Sequence, residues 1–283
     1  MNKKVLIVGA GWLGLPLALQ LQKSGYLVAV TKTSQESLEP LLASSLIGYV
    51  CKLTNDAPTQ STTPSALDRI LLDFSPDIVI GSFPPGFRSG NGGAYEQQWK
   101  TLAQSVKRAK PSKLIMISSS TVYPSLPDIM TEDRATLALA SNNAHFSDKA
   151  RIMLKAEQHV IDSDLDYCVV RCSGLFGPNR HPARFVSKLK AVSRSAPANM
   201  LHLYDAIGAT QFALEHVNRE VVNATTPHSV DKAQFYQAAI NDTDLDLAMP
   251  LIVDEANKTI SADKLLGLGY QFNYPSVLDA FNS

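Results

Sequence analysis

As far as Arg171, short apolar runs bounded by turn residues alternate with stretches of helical period. Val5–Val8, Leu27–Thr31, Leu46–Val50, Asp77–Gly81, Lys113–Ser118 and Tyr167–Arg171 each read as a strand flanked by Gly, Pro or polar residues. Leu13–Lys23, Ala94–Lys110 and Ser147–Ser163 read as helices. In the last of these Ala150, Met153, Leu154, Val160 and Ile161 share one apolar face. This alternation predicts βαβ units and a doubly wound parallel sheet, the Rossmann type of α/β fold. Beyond Arg171 the pattern thins. Arg180–Ser195 reads as a basic helix, Leu201–Leu203 as an extended piece, Asp205–Asn218 as a helix and Val221–Asn223 as a strand. Thr54–Ser65, rich in Thr, Pro and Ser, reads as a loop.

Gly9-Ala10-Gly11-Trp12-Leu13-Gly14 follows the first strand and opens the first helix, the context that makes a Gly-x-Gly-x-x-Gly match specific. Gly9 permits the tight turn, Gly11 lets the backbone approach a pyrophosphate, and Gly14 permits close helix–strand packing. Amide groups at the helix N-terminus then favour the phosphate charge. A dinucleotide is the predicted ligand. Residues 1–170 are read as its domain, and 171–283 mainly as a small C-terminal substrate lobe with segments returning to the sheet.

The end of the second strand bears on which dinucleotide. An NAD site usually carries an acid there for the ribose hydroxyls. This chain has Lys32-Thr33-Ser34, with no acid before Glu36. A cation and two hydroxyls suit a 2′-phosphate, which predicts NADP rather than NAD. The other reading of Lys32 is a solvated surface lysine.

Charge and composition narrow the class. The chain has 283 residues, of which 45% are hydrophobic, enough for a large core. Its 26 basic and 26 acidic residues cancel, which gives no reason to expect nucleic acid or an anionic membrane as partner. Cys51, Cys168 and Cys172 lack zinc spacing and read as buried thiols, so no metal is expected. The apolar run Val5–Leu19 is interrupted by glycines and a proline and is too short to span a bilayer. The expected location is the cytoplasm.

Candidate chemistry gathers after the fifth strand. Ser118-Ser119-Ser120-Thr121-Val122-Tyr123 ends that strand, at the sheet edge where open α/β proteins bind ligands, and His145-Phe-Ser-Asp-Lys149 follows. Spacing of i, i+4 puts His145 and Lys149 on one side if the helix reaches back that far. Hydroxyl capping of a strand end is the alternative account of the serine run.

Together with the glycine motif, these segments resemble the extended short-chain dehydrogenases/reductases, the NAD(P)-dependent epimerases and dehydratases of nucleotide sugars. Val169-Val170-Arg171-Cys-Ser-Gly174-Leu-Phe176-Gly177-Pro178, Asn199-Met-Leu-His202-Leu-Tyr-Asp205 and the closing Asn257–Tyr270 stretch extend the likeness over nearly the whole chain. The family's catalytic group is a Ser with Tyr-x-x-x-Lys, and here His145 stands where the Tyr would be. The chain is thus most similar to the branch that lacks this Tyr. The resemblance implies that Ser119 polarises a substrate oxygen and that Lys149 contacts the nicotinamide ribose. Ser120 and Thr121 replace the acid and base of the family's dehydratases, which disfavours that mechanism.

Three readings of the exchange stand open. His145 exchanges the proton, Tyr123 supplies the phenol, or the site does no redox chemistry. A cationic Lys149 would hold His145 neutral, a proton acceptor rather than a donor. For substrate contacts the candidates are Ser82 and Arg88, in a glycine-rich loop after the fourth strand, and Arg180 and His181 with Arg184. An exposed Arg-rich helix start accounts for the last three equally well. The resulting expectation is an NADP(H)-binding epimerase- or reductase-like enzyme for a small or nucleotide-sugar-like substrate. The alternative is a dinucleotide-binding sensor without turnover. The family's paired helices make a homodimer plausible.

Overall fold

Strands β1 (Lys4–Val8), β2 (Leu27–Lys32), β3 (Ile47–Val50), β4 (Ile78–Gly81), β5 (Lys113–Ser119), β6 (Asp166–Cys172) and β7 (Glu220–Ala224) form one seven-stranded sheet, ordered β3-β2-β1-β4-β5-β6-β7. Parallel pairing joins β1 to β2 and β4, β2 to β3, and β4 to β5. The computed structural model describes residues 2–42, 44–53, 64–87, 90 and 92–281. Val5–Ile7, Val28–Val30, Ile78–Ile80 and Leu114–Met116 are all buried. Because successive strand residues point to opposite faces, this unbroken burial means that both faces of the sheet are covered. The strand order reverses between β1 and β4, the switch point beside which ligands bind in this topology.

The connecting helices are α1 (Gly14–Lys23), α2 (Gln35–Leu42), α3 (Ala66–Phe74), α4 (Gly92–Ala109), α5 (Asp148–Ile161) and α6 (Leu203–His216). The patterning did not predict α2 or α3. Helix α2 carries Pro40 in its interior, where proline removes a backbone hydrogen bond, so its sequence reads against a helix. Helix α3 did carry a signal. Ser65 and Asp68 form a reciprocal capping box, the Ser65 hydroxyl accepting from the Asp68 amide at 3.1 Å. Most of the expected Thr54–Ser65 loop lies outside the described residues.

The chain divides into two compact units. The first comprises residues 1–118, 151–170 and 210–221, and the second 119–150, 171–209 and 222–283. The expected division falls at 170, with later segments returning to the sheet. Residues 119–150 cluster with the later segments, and the end of α6 with the start of β7 returns to the sheet unit.

In the sheet unit a buried lysine ties down the C-terminus of α6. Lys113 Nζ donates to Leu214 O at 3.2 Å and Asn218 Oδ1 at 3.0 Å and pairs with Asp166 at 3.2 Å. A cation there satisfies carbonyls that the helix leaves without partners.

The second unit is built on short parallel pairs. Gly174–Phe176 lies beside Met200–His202, Ala191–Ser193 beside Leu251–Val253, and Ile129–Met130 beside Thr259–Ile260. The basic helix expected over Arg180–Ser195 is confined to Ala183–Val186. Val192 is buried and pairs with Ile252, so strand pairing with a distant segment overrides the local pattern. Asp205 is fully buried. It accepts from the Asn273 amide at 2.6 Å, the Tyr274 amide at 3.1 Å and the Tyr270 hydroxyl at 3.2 Å, which fastens the C-terminal segment.

Candidate functional site

At the end of β1 the chain turns through Gly9 at φ +103°, a value that L side chains rarely adopt. Thr31, buried at the end of β2, shapes this turn twice. Its hydroxyl accepts the Gly9 amide at 3.1 Å and its carbonyl accepts the Ala10 amide at 3.0 Å. On the other side, a Cβ on Gly9 would lie 2.7 Å from Ser82 O, and one on Gly14 would collide with the Gly9 carbonyl. Gly11 differs from both. A Cβ there meets no atom within 4 Å, and Gly11 takes no left-handed φ. Gly9 and Gly14 are therefore glycine for packing, while Gly11 keeps open space beside the turn. No side chain caps the N-terminus of α1, and its first turn carries no acid. An open glycine beside an uncapped helix start is the cradle that a pyrophosphate requires.

Lys32, at the end of β2, is half-buried, Thr33 is exposed, and neither has an acid beside it in sequence. Ser34 has another task. Its oxygen accepts the Ser37 amide at 3.3 Å and its proton goes to Ser37 Oγ at 3.0 Å, which starts α2. Ser82, expected among the substrate contacts, instead walls the glycine turn, its amide donating to Val8 O at 2.8 Å. Beyond it Phe83 stacks on Trp99 with ring centroids 4.8 Å apart. Arg88 lies outside the described residues.

In the second unit Ser119 caps a short turn. Its Oγ accepts from the Thr121 amide at 3.2 Å and lies 3.0 Å from the Thr121 hydroxyl. His145 is exposed and stands before α5, not on it. The helix begins at Asp148 because the Ser147 hydroxyl accepts the Ala150 amide at 3.2 Å, which fixes Ser147 as its cap. His145 and Lys149 thus do not share a helical face, and the i, i+4 expectation fails for that reason. Instead His145 sits in a turn closed by Asn143, whose Oδ1 accepts the His145 amide at 3.0 Å. The structure does link this turn to the Ser119 segment, since the Ser125 amide donates to His145 O at 3.0 Å. Lys149 lies in the exposed first turn of α5.

Tyr123 is 2% exposed and its phenol is committed. It donates to Asn223 Oδ1 at 2.6 Å and accepts from Arg171 Nη1 at 3.1 Å. The Arg171 guanidinium also sits 5.2 Å from the ring centroid. Burial pushes the phenol pKa up to about 12, although Arg171 pulls the other way. A buried neutral phenol with both partners fixed belongs to the packing, so the geometry speaks against Tyr123 as the proton donor. Arg171 stands in the Val169–Pro178 segment and Asn223 ends a predicted strand, but the pattern marks neither as a candidate site residue, because their partners are remote in sequence. Arg171 also donates to Glu132 O at 2.9 Å and Ala135 O at 2.7 Å, and Asn223 Nδ2 donates to Met130 O and Ser261 O, each at 3.1 Å.

In the Arg180, His181, Arg184 cluster the side chains of His181 and Arg184 are drawn into structure. His181 Nδ1 accepts the Ala183 amide at 3.3 Å, which places the ring proton on Nε2, facing Asp242 Oδ2 at 3.1 Å. Arg184 donates to Asn179 O at 3.2 Å, and the Arg180 amide to Gly177 O at 2.9 Å. His181 therefore reads as a tie between two segments and not as an anion ligand.

All three cysteines are free and buried, and burial pushes Cys172 up to about 12 and Cys51 up to about 11. Among the described residues no cluster of three or more His, Cys, Asp or Glu could hold a metal ion, and no helix is long and apolar enough to cross a membrane.

The model of the NAD dependent epimerase/dehydratase family matches residues 5–224. The chain belongs to this family. Among curated relatives, the epimerase/dehydratase-type chain is 27% identical to Protein YeeZ of Escherichia coli over 98% of both chains. Among solved structures it is similar to the Bordetella bronchiseptica enzyme WbmH in complex with NAD+, at TM-score 0.75 and 17% identity, covering 99% of this chain and 96% of that one. It also resembles the UDP-glucuronic acid 4-epimerase of Bacillus cereus in complex with NAD, at TM-score 0.72 and 17% identity, covering 98% and 96%. The structural matches show the Rossmann-type fold of the epimerase/dehydratase family. Membership makes the protein NAD(P)-binding in kind.

Proposed function

We propose that this epimerase/dehydratase-family protein binds NADP(H) on the Gly9–Gly14 turn. We further propose that it acts as an epimerase- or reductase-like oxidoreductase on a small or nucleotide-sugar-like substrate. The observation that carries the reading is the open space beside Gly11, set against the filled space at Gly9 and Gly14. Lys32 and Thr33 support a 2′-phosphate, and Ser34 contributes less because it caps α2. Trp12 and Leu13 lie in the same turn. The nicotinamide, when bound, supplies an acceptor and donor of hydride.

The roles of the chain's own residues follow from their chemistry. Ser119 Oγ accepts from the Thr121 amide, so its proton is directed either at the Thr121 hydroxyl or at a substrate oxygen. Lys149 holds a ribose hydroxyl. His145, exposed and on a hydrogen-bonded turn, takes up and returns the proton directly or through water. Where the protein acts, its substrates are small molecules.

The second reading, a dinucleotide-binding sensor without turnover, has one specific observation in its favour. Tyr123 is locked in packing, and His145 lies off the helix that carries Lys149. A panel of carbonyl compounds and nucleotide sugars with NADPH, using the intact chain, His145→Ala and Lys149→Ala, separates the two. Turnover lost in both variants supports the enzyme. Tight NADPH binding with no turnover of any substrate supports the sensor.

A further inference from the structure

The turn carrying His145 is held from an unexpected direction. Lys258, far along the chain and half-buried, donates from Nζ to Tyr123 O at 2.8 Å and to Pro124 O at 3.3 Å. The next residue, Ser125, gives its amide to His145 O at 3.0 Å. Lys258 is itself fixed at its backbone. Asn199 Nδ2 donates to Lys258 O at 2.8 Å, while Asn199 Oδ1 accepts the Ile260 amide at 2.9 Å. A continuous line of hydrogen bonds therefore runs from Asn199 through Lys258 and the Tyr123–Ser125 strap to His145, all of it within the second unit.

We propose that Lys258 is a positioning residue for His145, its ammonium pinning the Tyr123 and Pro124 carbonyls and thereby fixing the backbone turn on which the imidazole is carried. Two neutral carbonyls attract a cation more strongly than a neutral donor, because hydrogen bonds from a charged group are shorter and stronger. The strap has a second anchor in the Tyr123 side chain, so Lys258 governs its last residues in particular. An exposed imidazole on a turn has little packing of its own to set its direction, and the backbone beneath it must supply that. The proposal rests on reading His145 as the proton-exchanging group.

The test uses the full chain with Lys258→Met and Lys258→Arg. Two signals are followed: hydrogen exchange at the Ser125 amide, and the His145 ring proton resonance, assigned by its disappearance in His145→Ala. Lys258→Met is expected to speed Ser125 exchange about tenfold and to move the His145 resonance. Lys258→Arg, which keeps the charge and the donors, is expected to hold both near wild type. If Lys258→Met does not fold, Lys258→Gln is read in the same way. Unchanged exchange and resonance in a folded neutral variant overturn the proposal, as does an equal disturbance in Lys258→Arg or a Ser125 effect that leaves His145 unmoved. A wild-type chain that fails to bind NADPH defeats the functional reading alone, because neither signal depends on ligand.

Discussion

The Thr31 hydroxyl accepts the Gly9 amide at 3.1 Å, so the second strand holds the glycine turn that follows the first. Thr31→Val keeps the shape but leaves that amide without its partner. A part-buried donor that loses its partner costs about 1–2 kcal/mol. We expect a stability loss in that range by urea denaturation, with weaker NADPH binding than wild type.

The glycines of the turn separate fold from ligand. Gly11→Val places a side chain in open space at an ordinary φ, so stability should change by no more than about 1 kcal/mol while NADPH affinity falls at least about tenfold. Gly14→Ala drives a Cβ into the Gly9 carbonyl and should cost about 1–3 kcal/mol of stability. Thermal melts with and without NADPH distinguish the two.

Tyr123 gives an alkaline prediction. Its folded pKa is raised from 10.0 to about 12, so the native state holds the proton longer than the unfolded chain does. Its contribution is intact below about pH 10 and is lost as pH rises towards 12, on the order of 2–3 kcal/mol by linkage. Tyr95 and Tyr270 are raised too, chiefly by burial, and add to the same alkaline loss. Tyr123→Phe should be less stable at pH 7, because Asn223 Oδ1 and Arg171 lose a buried partner, yet should lose less between pH 10 and 12. Denaturation curves across that window check the sign.

Asp205 anchors the C-terminal segment through the Asn273 and Tyr274 amides. Asp205→Ala leaves the Asn273 and Tyr274 amides without their acceptor, while the Tyr270 hydroxyl keeps Asp205 O at 3.1 Å, and should cost about 2–4 kcal/mol. Hydrogen exchange should place the early opening at residues 270–274.

The sheet and the glycine turn were legible in the sequence because each rests on local pattern. Apolar runs at strand length give β1 to β6, and the position of Gly9–Gly14 between β1 and α1 gives the cradle. What sequence missed depends on partners distant along the chain. Val192 becomes a strand only because Ile252 lies beside it. His145 leaves the helix because Ser147 caps it first, a hydroxyl that the i, i+4 spacing ignores. Arg171, Asn223 and Lys258 acquire their roles from carbonyls remote in sequence, and no periodicity announces them. For His181 the sequence leaves an anion contact and an exposed helix start equally open, and its contact with Asp242 is remote in sequence.

The most direct test of the account is fluorescence titration of NADPH and NADH against the intact chain and Gly11→Val. The account predicts that the intact chain binds NADPH at least about tenfold tighter than NADH, and that Gly11→Val loses most of that affinity while remaining folded. A preference for NADH, or equal NADPH binding by the two proteins, would contradict it.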